Sequence, residues 1–252
     1  MNRNRIGTLI ALCLLPCAAP AATSDARDIV RSAIDHWRGV SSVSDMTMTI
    51  HRSDWQRSMS MRAWTRGDEL TLVRVTAPPR DRGNGTLTDG DNMWTFSPKV
   101  NRVIRIPSSM MNQSWMGSDF SNKDVSRVDD IVDQYRHEII GESAHDGHTL
   151  YEIQSIPHDD AAVVWGREVL AIRDDHVMVR HDFYDQDGRL VKSMQSLEIG
   201  EMGGRVVAIR QRMTKADAAD EWTEIRLDAV EYGAELADSV FTLSNLRNPR
   251  NP

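Results

Sequence analysis

Alternating polar and apolar residues, interrupted by turn-forming residues, run through most of this 252-residue chain. In segments 46–50 and 59–63, apolar side chains alternate with serine, threonine or arginine. A period of two is that of a β-strand, whose successive side chains point to opposite faces of a sheet. We predict further strands at residues 69–76, 85–88, 92–96, 102–106, 135–141, 148–156, 163–173, 177–184, 190–199, 205–214 and 221–232. The chain is therefore expected to be mainly β.

Tight turns separate the predicted strands, for example at Asp146-Gly147, Asp187-Gly188 and Gly203-Gly204. Turns this short join antiparallel neighbours, so the strands should form a meandering antiparallel sheet. A long sheet with only one or two helices has to curl around its own apolar face, and helices can fill the concave side.

One amphipathic helix is predicted ahead of the strands. Ser24 or Asp25 can cap its start, and Gly39 can end it. A second, short helix is expected within residues 121–132. The apolar positions of the first helix recur at three- and four-residue steps: Ile29, Val30, Ala33, Ile34 and Trp37.

Residues 1–22 have the features of a secretory signal peptide. Arg3 and Arg5 precede an apolar run at 6–15, and small residues lead up to Thr23. The apolar run is about ten residues, shorter than the roughly 20 that a membrane-spanning helix needs. We expect an exported protein in which residues 23–252 form a single domain.

Both cysteines, Cys13 and Cys17, lie in the predicted signal peptide. The exported chain would therefore contain no disulfide, catalytic thiol or cysteine-ligated metal. Pro16 directly before Cys17 argues against lipid anchoring at that cysteine. The formal net charge of −7 argues against nucleic acid as a partner.

The segment 108–120, SSMMNQSWMGSDF, concentrates large apolar side chains between polar ones without helix or strand period. Exposed apolar side chains mark binding surfaces, and methionine adapts to ligands of variable shape. We interpret the segment as a movable lid over a hydrophobic binding site. Its apolar residues are Met110, Met111, Trp115, Met116 and Phe120.

Four methionines share one face if segments 46–50 and 59–63 pair: Met46, Met48, Met59 and Met61. Ordinary core packing accounts for them, because methionine fills irregular gaps. The second group of methionines in the lid favours the alternative, in which both groups line a cavity for ligands of variable shape.

The sequence does not favour bond-making chemistry. Ser118-Asp119 and the scattered histidines lack the G-x-S-x-G context of a hydrolase. His145/His148 and His176/His181 lie in or beside predicted turns, and we expect them to be solvated. We predict no catalytic residue, no metal and no cofactor.

Three stretches resemble the outer-membrane lipoprotein-sorting protein family, which belongs to the LolA/LolB-like superfamily of periplasmic lipoprotein carriers and acceptors. They are APPRDRGNG at 77–85, DNMWTFSPKVNRVIRIPSSMMNQSWMGSDFSNKD at 91–124, and YDQDGRLVKS at 184–193. The resemblance implies an incomplete, strongly curved antiparallel β-barrel of the α+β class, with N-terminal and lid helices covering a hydrophobic cavity. It also implies a periplasmic location.

The resemblance implies that the cavity holds a lipid or the acyl chains of a lipoprotein, and that an RND- or MMPL-type exporter is a partner. The candidate ligand-binding residues are Met46, Met48, Met59, Met61, Trp94, Phe96, Met110, Met111, Trp115, Met116 and Phe120. The candidate loop-structuring residues are Gly117, Ser118, Asp119, Asn122 and Asp124.

Three hypotheses follow. The first is a monomeric, non-enzymatic carrier that transfers a lipid or a lipoprotein toward the outer membrane. The second is an interaction module that docks on a membrane lipid exporter and whose barrel interior is only a core. The third is an esterase acting on the same apolar ligands.

Overall fold

The structure, a computed structural model, describes residues 25–249. The predicted signal peptide, its cleavage site and Cys17 lie outside these residues. Within the described range, no helix is both long enough and apolar enough to cross a membrane.

Thirteen strands form one antiparallel sheet with the order β6-β5-β4-β3-β2-β1-β13-β12-β11-β10-β9-β8-β7. The first six strands are β1 Ser41–His51, β2 Gln56–Arg66, β3 Leu70–Ala77, β4 Gly85–Asp89, β5 Asn92–Ser97 and β6 Arg102–Arg105. The other seven are β7 Tyr135–His145, β8 His148–Pro157, β9 Arg167–Arg173, β10 Met178–Tyr184, β11 Leu190–Met202, β12 Arg205–Lys215 and β13 Ala218–Tyr232. Each strand pairs with the strands before and after it in the chain, with one exception: β6 does not pair with β7. In addition, β1 pairs with β13, which joins the two halves of the sheet.

Helix α1, Ala26–Arg38, begins and ends as the sequence predicts. The Asp25 side chain accepts a hydrogen bond from the Arg27 amide at 3.0 Å, which satisfies one of the unpaired donors of the first turn. Gly39 ends the helix with φ of 65°, a conformation that glycine adopts without steric cost.

The sheet stays open between β6 and β7, which are its two edges although they follow each other in the chain. Residues 106–134, here called the crossing segment, connect these edges across the concave face. The segment contains a 3-10 helix at Ser108–Met110, helix α2 at Asn122–Ser126 and helix α3 at Asp130–Asp133. The prediction of an incomplete, curved antiparallel barrel covered by helices is therefore confirmed.

Apolar side chains pack on both faces of the sheet. On the concave face, α1 and α3 pack against β7, β8 and β9, and the crossing segment packs against β1, β2, β3 and β5. On the convex face, a 3-10 helix at Asp238–Phe241 and helix α4 at Leu243–Arg247 cover the first strands. The concave face is thus covered by α1 and by the crossing segment, which meet where α3 packs beside α1.

The predicted strands agree with the observed ones to within a few residues at most ends. The largest difference is at β1, which begins at Ser41 rather than at residue 46, and β9 begins at Arg167 rather than at residue 163. Residues 158–166 instead form the loop that connects β8 to β9, and the Gly166 amide donates to the Tyr184 carbonyl oxygen at 2.9 Å.

Leu170 tests the packing of α1 against the sheet, because its side chain is fully buried in that cluster. We expect Leu170→Ala to lower the free energy of unfolding by about 2–5 kcal/mol, since it leaves a cavity. The matched control is Leu190→Ala, whose side chain is 41% exposed and whose effect should be below about 0.5 kcal/mol. Equal effects in chemical denaturation would contradict this packing.

Candidate functional site

A cavity of about 300 Å³ lies between α1, the crossing segment and the concave face of the sheet. Apolar side chains from the strands form most of one wall, among them Phe183, Met194, Met213 and Ile225. Such a cavity, apolar with a few convergent polar groups, is the usual form of a small-molecule site.

The cavity reaches solvent beside the end of α1. His36 and His176 both line it, with ring centroids 6.0 Å apart, and His176 is exposed. His36 Nε2 also forms a 2.7 Å hydrogen bond with the Val206 carbonyl oxygen, which joins α1 to β12. His176 is thus a solvent-exposed part of the cavity lining.

Three of the predicted ligand-binding residues line the cavity: Met46, Trp115 and Phe120. Phe120 packs against Phe183 and Met213, so the crossing segment contributes directly to the roof of the cavity.

The remaining methionines form the core beneath the crossing segment. Met48, Met59 and Met61 are fully buried and pack against Met111 and Trp115. Met116 is partly buried against the same cluster, and the Met110 side chain is 36% exposed. The methionines of the strands and those of the crossing segment thus pack against each other, as the sequence suggests. Most of them form core contacts and do not line the cavity.

Trp94 and Phe96 were placed on the cavity wall by sequence, whereas the structure places them on the convex face. They pack there with Leu87 and Phe241. Alternate residues of a strand face opposite sides, and in β5 the concave position belongs to Met93. All three residues are apolar, so the pattern alone does not show which side faces inward.

Hydrogen bonds fold the crossing segment into one defined conformation. Trp115 Nε1 donates to Thr86 Oγ1 at 3.0 Å, and Ser118 Oγ donates to the Trp115 carbonyl oxygen at 2.7 Å. Gly117 has φ of 79°, which permits the turn between them. Because its hydroxyl donates a hydrogen bond within the turn, Ser118 stabilises the conformation of the segment.

A buried ion pair fastens this turn to the sheet. Asp119 accepts from Arg52 at 2.9 Å and from Thr223 Oγ1 at 2.7 Å, and its side chain is only 2% exposed. Lys215 Nζ lies a further 3.6 Å from the same carboxylate. Thr223 lies on β13 and Arg52 follows β1, so Asp119 ties the roof of the cavity to the centre of the sheet.

Helix α2 provides a second attachment. Ser121 and Asp124 form a reciprocal capping box, with the Ser121 amide donating to Asp124 Oδ2 at 2.7 Å. The Asp124 carboxylate also pairs with Lys192 on β11, and both side chains are largely buried. Asn122 Nδ2 donates to the Met110 carbonyl oxygen at 2.9 Å, which holds the two ends of the loop together.

Sequence reasoning missed a cluster of buried polar residues in the cavity wall, here called the polar cluster: Tyr135, Glu168 and His181. The Tyr135 hydroxyl donates to Glu168 Oε1, and His181 Nε2 lies 2.5 Å from Glu168 Oε2. Burial, and then the charge of Glu168, raises the pKa of Tyr135, which keeps the phenol protonated.

His181 was expected to be a solvated turn residue, but it lies within β10 and stacks on Phe183 at 4.1 Å between ring centroids. The alternation of residues along β9 contains a signal for the polar cluster. Glu168 occupies the same face of β9 as the apolar Leu170 and Ile172, so its carboxylate must point inward.

One group of possible metal ligands lies elsewhere on the described surface, at His148, Asp174 and Asp175. His148 Nδ1 is 2.7 Å from Asp174 Oδ1, and Arg173 pairs with Asp175 at 2.6 Å. Since Arg173 already neutralises Asp175, these contacts satisfy the group without an ion.

The comparisons with known proteins agree with this architecture. The model of a family of uncharacterized proteins matches residues 67–248, well over half of the chain. The structure of a DUF1329 family protein from Desulfovibrio piger is 26% identical with a TM-score of 0.78, covering 89% of this chain and 100% of that one. No curated protein matches the chain.

Two further structures share the fold. A protein from Vibrio parahaemolyticus, named as an outer membrane lipoprotein-sorting protein domain, is 20% identical with a TM-score of 0.77, covering 88% of this chain and 98% of that one. A LolA superfamily protein from Nitrosomonas europaea is 20% identical with a TM-score of 0.72, covering 87% and 98%.

Asp119→Asn tests the attachment of the crossing segment. Removing one charge of a buried pair costs about 3 kcal/mol, and Arg52 is then left with its longer 3.4 Å contact with Glu221. We therefore expect hydrogen–deuterium exchange of the amides at 115–122 to become about 100-fold faster. The matched control is Asp187→Asn, whose exposed pair with Arg189 should contribute little. Unchanged exchange at 115–122 would show that Asp119 does not hold the segment.

Proposed function

We propose that this chain, which belongs to the family of uncharacterized proteins whose model matches residues 67–248 and has a LolA-like fold, is a non-enzymatic carrier for a lipid or for the acyl chains of a lipoprotein. The observation that supports this function is the cavity between α1, the crossing segment and the concave face. In this proposal the protein is periplasmic and transfers its cargo toward the outer membrane, together with an RND- or MMPL-type exporter.

The physical task of such a carrier is to shield hydrocarbon from water. A chain of about 14 to 16 carbons costs roughly 0.8 kcal/mol per CH₂ to expose, on the order of 10 kcal/mol in total. The apolar wall formed by Phe120, Phe183, Met194, Met213 and Ile225 supplies that shelter. Methionine side chains can adjust to chains of different length and branching.

The size of the cavity restricts what the closed form holds. Its volume of about 300 Å³ lies at the lower end of ligand sites in proteins. A single acyl chain suits this space, whereas a cargo with several chains requires the crossing segment or α1 to move outward. The attachments at Asp119 and Asp124 are the contacts that such a movement would break.

The docking-module alternative requires an interior filled by protein side chains, and the cavity of about 300 Å³ favours the carrier. The esterase alternative relied on Ser118 and Asp119. Ser118 Oγ donates to a main-chain carbonyl within its own turn, and Asp119 is paired with Arg52. Neither residue is arranged as a nucleophile with its base.

Mass spectrometry of organic extracts tests the proposal directly. We expect protein purified from a periplasm without detergent to carry a stoichiometric phospholipid, acyl chain or lipoprotein. Protein that is empty, and that also fails to bind an apolar fluorescent probe, would contradict the carrier function and support the docking module.

Filling the cavity should abolish retention of the cargo. Ala208 is buried and lines the cavity, so the phenyl ring of Ala208→Phe would occupy the space of the ligand. We expect at least a several-fold loss of extracted lipid, at a cost of about 1–3 kcal/mol in stability. The control is Ala219→Phe at an exposed position of β13, which should retain the lipid. Equal retention in a folded Ala208→Phe protein would place the lipid elsewhere.

A further inference from the structure

The polar cluster is unexpected in a cavity that serves only hydrocarbon. Tyr135, Glu168 and His181 come from three different strands, β7, β9 and β10, and converge on one part of the wall. Tyr135 and Glu168 are each 4% exposed. An acyl chain offers no partner to any of these groups.

We propose that His181 binds the polar end of the cargo, and that this end carries a hydrogen-bond donor such as a hydroxyl or an amide N–H. The inference rests on the proposed carrier function and deepens it by naming the chemistry of the ligand. Tyr135 and Glu168 act as positioning residues, because they reach the ligand only through His181.

The energetics of burial favour a functional reason for the cluster. Taking a carboxylate and an imidazole out of water is expensive, and an apolar replacement of similar volume is often neutral or stabilising. Buried hydrogen bonds of this kind therefore contribute little net stability. In a cavity wall, their functional role is to select the ligand.

The hydrogen bonds of Glu168 determine which proton His181 carries. A carboxylate only accepts, and Oε1 already accepts from the Tyr135 hydroxyl. The contact of 2.5 Å between Oε2 and His181 Nε2 therefore places the imidazole proton on Nε2. In the neutral ring Nδ1 then has a lone pair, and it accepts from a ligand that donates.

His181 Nδ1 is available for this purpose. Within residues 25–249 it makes no hydrogen bond, and the side chain lines the cavity. The ring is also fixed in orientation, because it stacks on Phe183 at 4.1 Å between centroids. A fixed acceptor loses little entropy when it binds its ligand.

Phe183 connects this polar point to the apolar wall. On its other side it packs in a cluster with Phe120 and Met213. A ligand whose polar group meets His181 can therefore lay its chain along Phe183 toward Phe120 and Met213. The required ligand is an amphiphile with a donor group beside its first methylenes, and it is not a bare hydrocarbon.

A matched pair of ligands tests this inference: 1-hexadecanol, which donates a hydrogen bond, and its methyl ether, which only accepts. Each is used to displace an apolar fluorescent probe from the delipidated mature protein under one fixed set of buffer conditions. We expect the alcohol to bind about tenfold more tightly, which is the effect of one hydrogen bond.

Three variants assign the preference to the polar cluster. In His181→Phe, which can keep the stacking on Phe183, the alcohol and the ether should bind equally. In Glu168→Leu, no carboxylate holds the imidazole proton on Nε2, so Nδ1 is no longer fixed as an acceptor. Both ligands can accept from an Nδ1–H, so the tenfold preference should fall although the protein is folded. The control is His137→Phe, a partly buried histidine bonded to Ser155 outside the cavity, which should keep the preference.

The outcomes separate the inference from the proposed function. If the wild-type protein binds alcohol and ether equally, the polar cluster does not select ligands that have a hydrogen-bond donor, while the carrier function stands. If neither ligand displaces the probe, or the probe does not bind, the carrier function itself fails. If His181→Phe does not fold, the wild-type ratio and Glu168→Leu still decide, and an unchanged preference in Glu168→Leu overturns the proposed role.

Discussion

The structure depends on how an open sheet closes its concave side. Strands β6 and β7 follow each other in the chain but lie at opposite edges of the sheet, so residues 106–134 must cross the gap between them. The buried pair of Asp119 and Arg52 fixes where this segment crosses. A buried ion pair contributes little net stability compared with apolar packing, but it defines one position strongly. The cavity lies beside this crossing, between the segment, α1 and the concave face of the sheet.

Release of a ligand is constrained by the same contacts. The Asp119 and Asp124 carboxylates hold the crossing segment to β13 and β11, next to the residues that line the cavity. Opening the roof requires both to separate from their partners, and each buried charge then needs water or a new partner. A bare thermal opening is therefore rare. A partner protein or a membrane surface that supplies polar groups to these charges would lower the barrier to transfer.

Much of the fold could be predicted from the sequence, since strands with a period of two and tight turns leave few alternatives to an antiparallel meander. The phase of a strand was harder to predict. In β5 apolar residues occupy both faces because helix α4 covers the convex side, so the pattern of β5 does not correct the position of Trp94 that the resemblance implies. Asp119 is a predicted loop-structuring residue, but its partner could not be predicted, because Arg52 lies 67 residues away and only the folded sheet brings the two together.

Glu168 shows how far sequence can define a binding site. Along β9 its neighbours on the same face, Leu170 and Ile172, are fully buried, so the sequence contains an acidic residue where an apolar one would pack. A rule based on periodicity treats such a residue as an exception to the pattern. In the structure the exception lies against a cavity, bonded to Tyr135 and His181. Burying a polar group on an apolar face costs desolvation free energy. The position where a strand departs from its own pattern therefore identifies the part of the cavity wall that can distinguish one ligand from another.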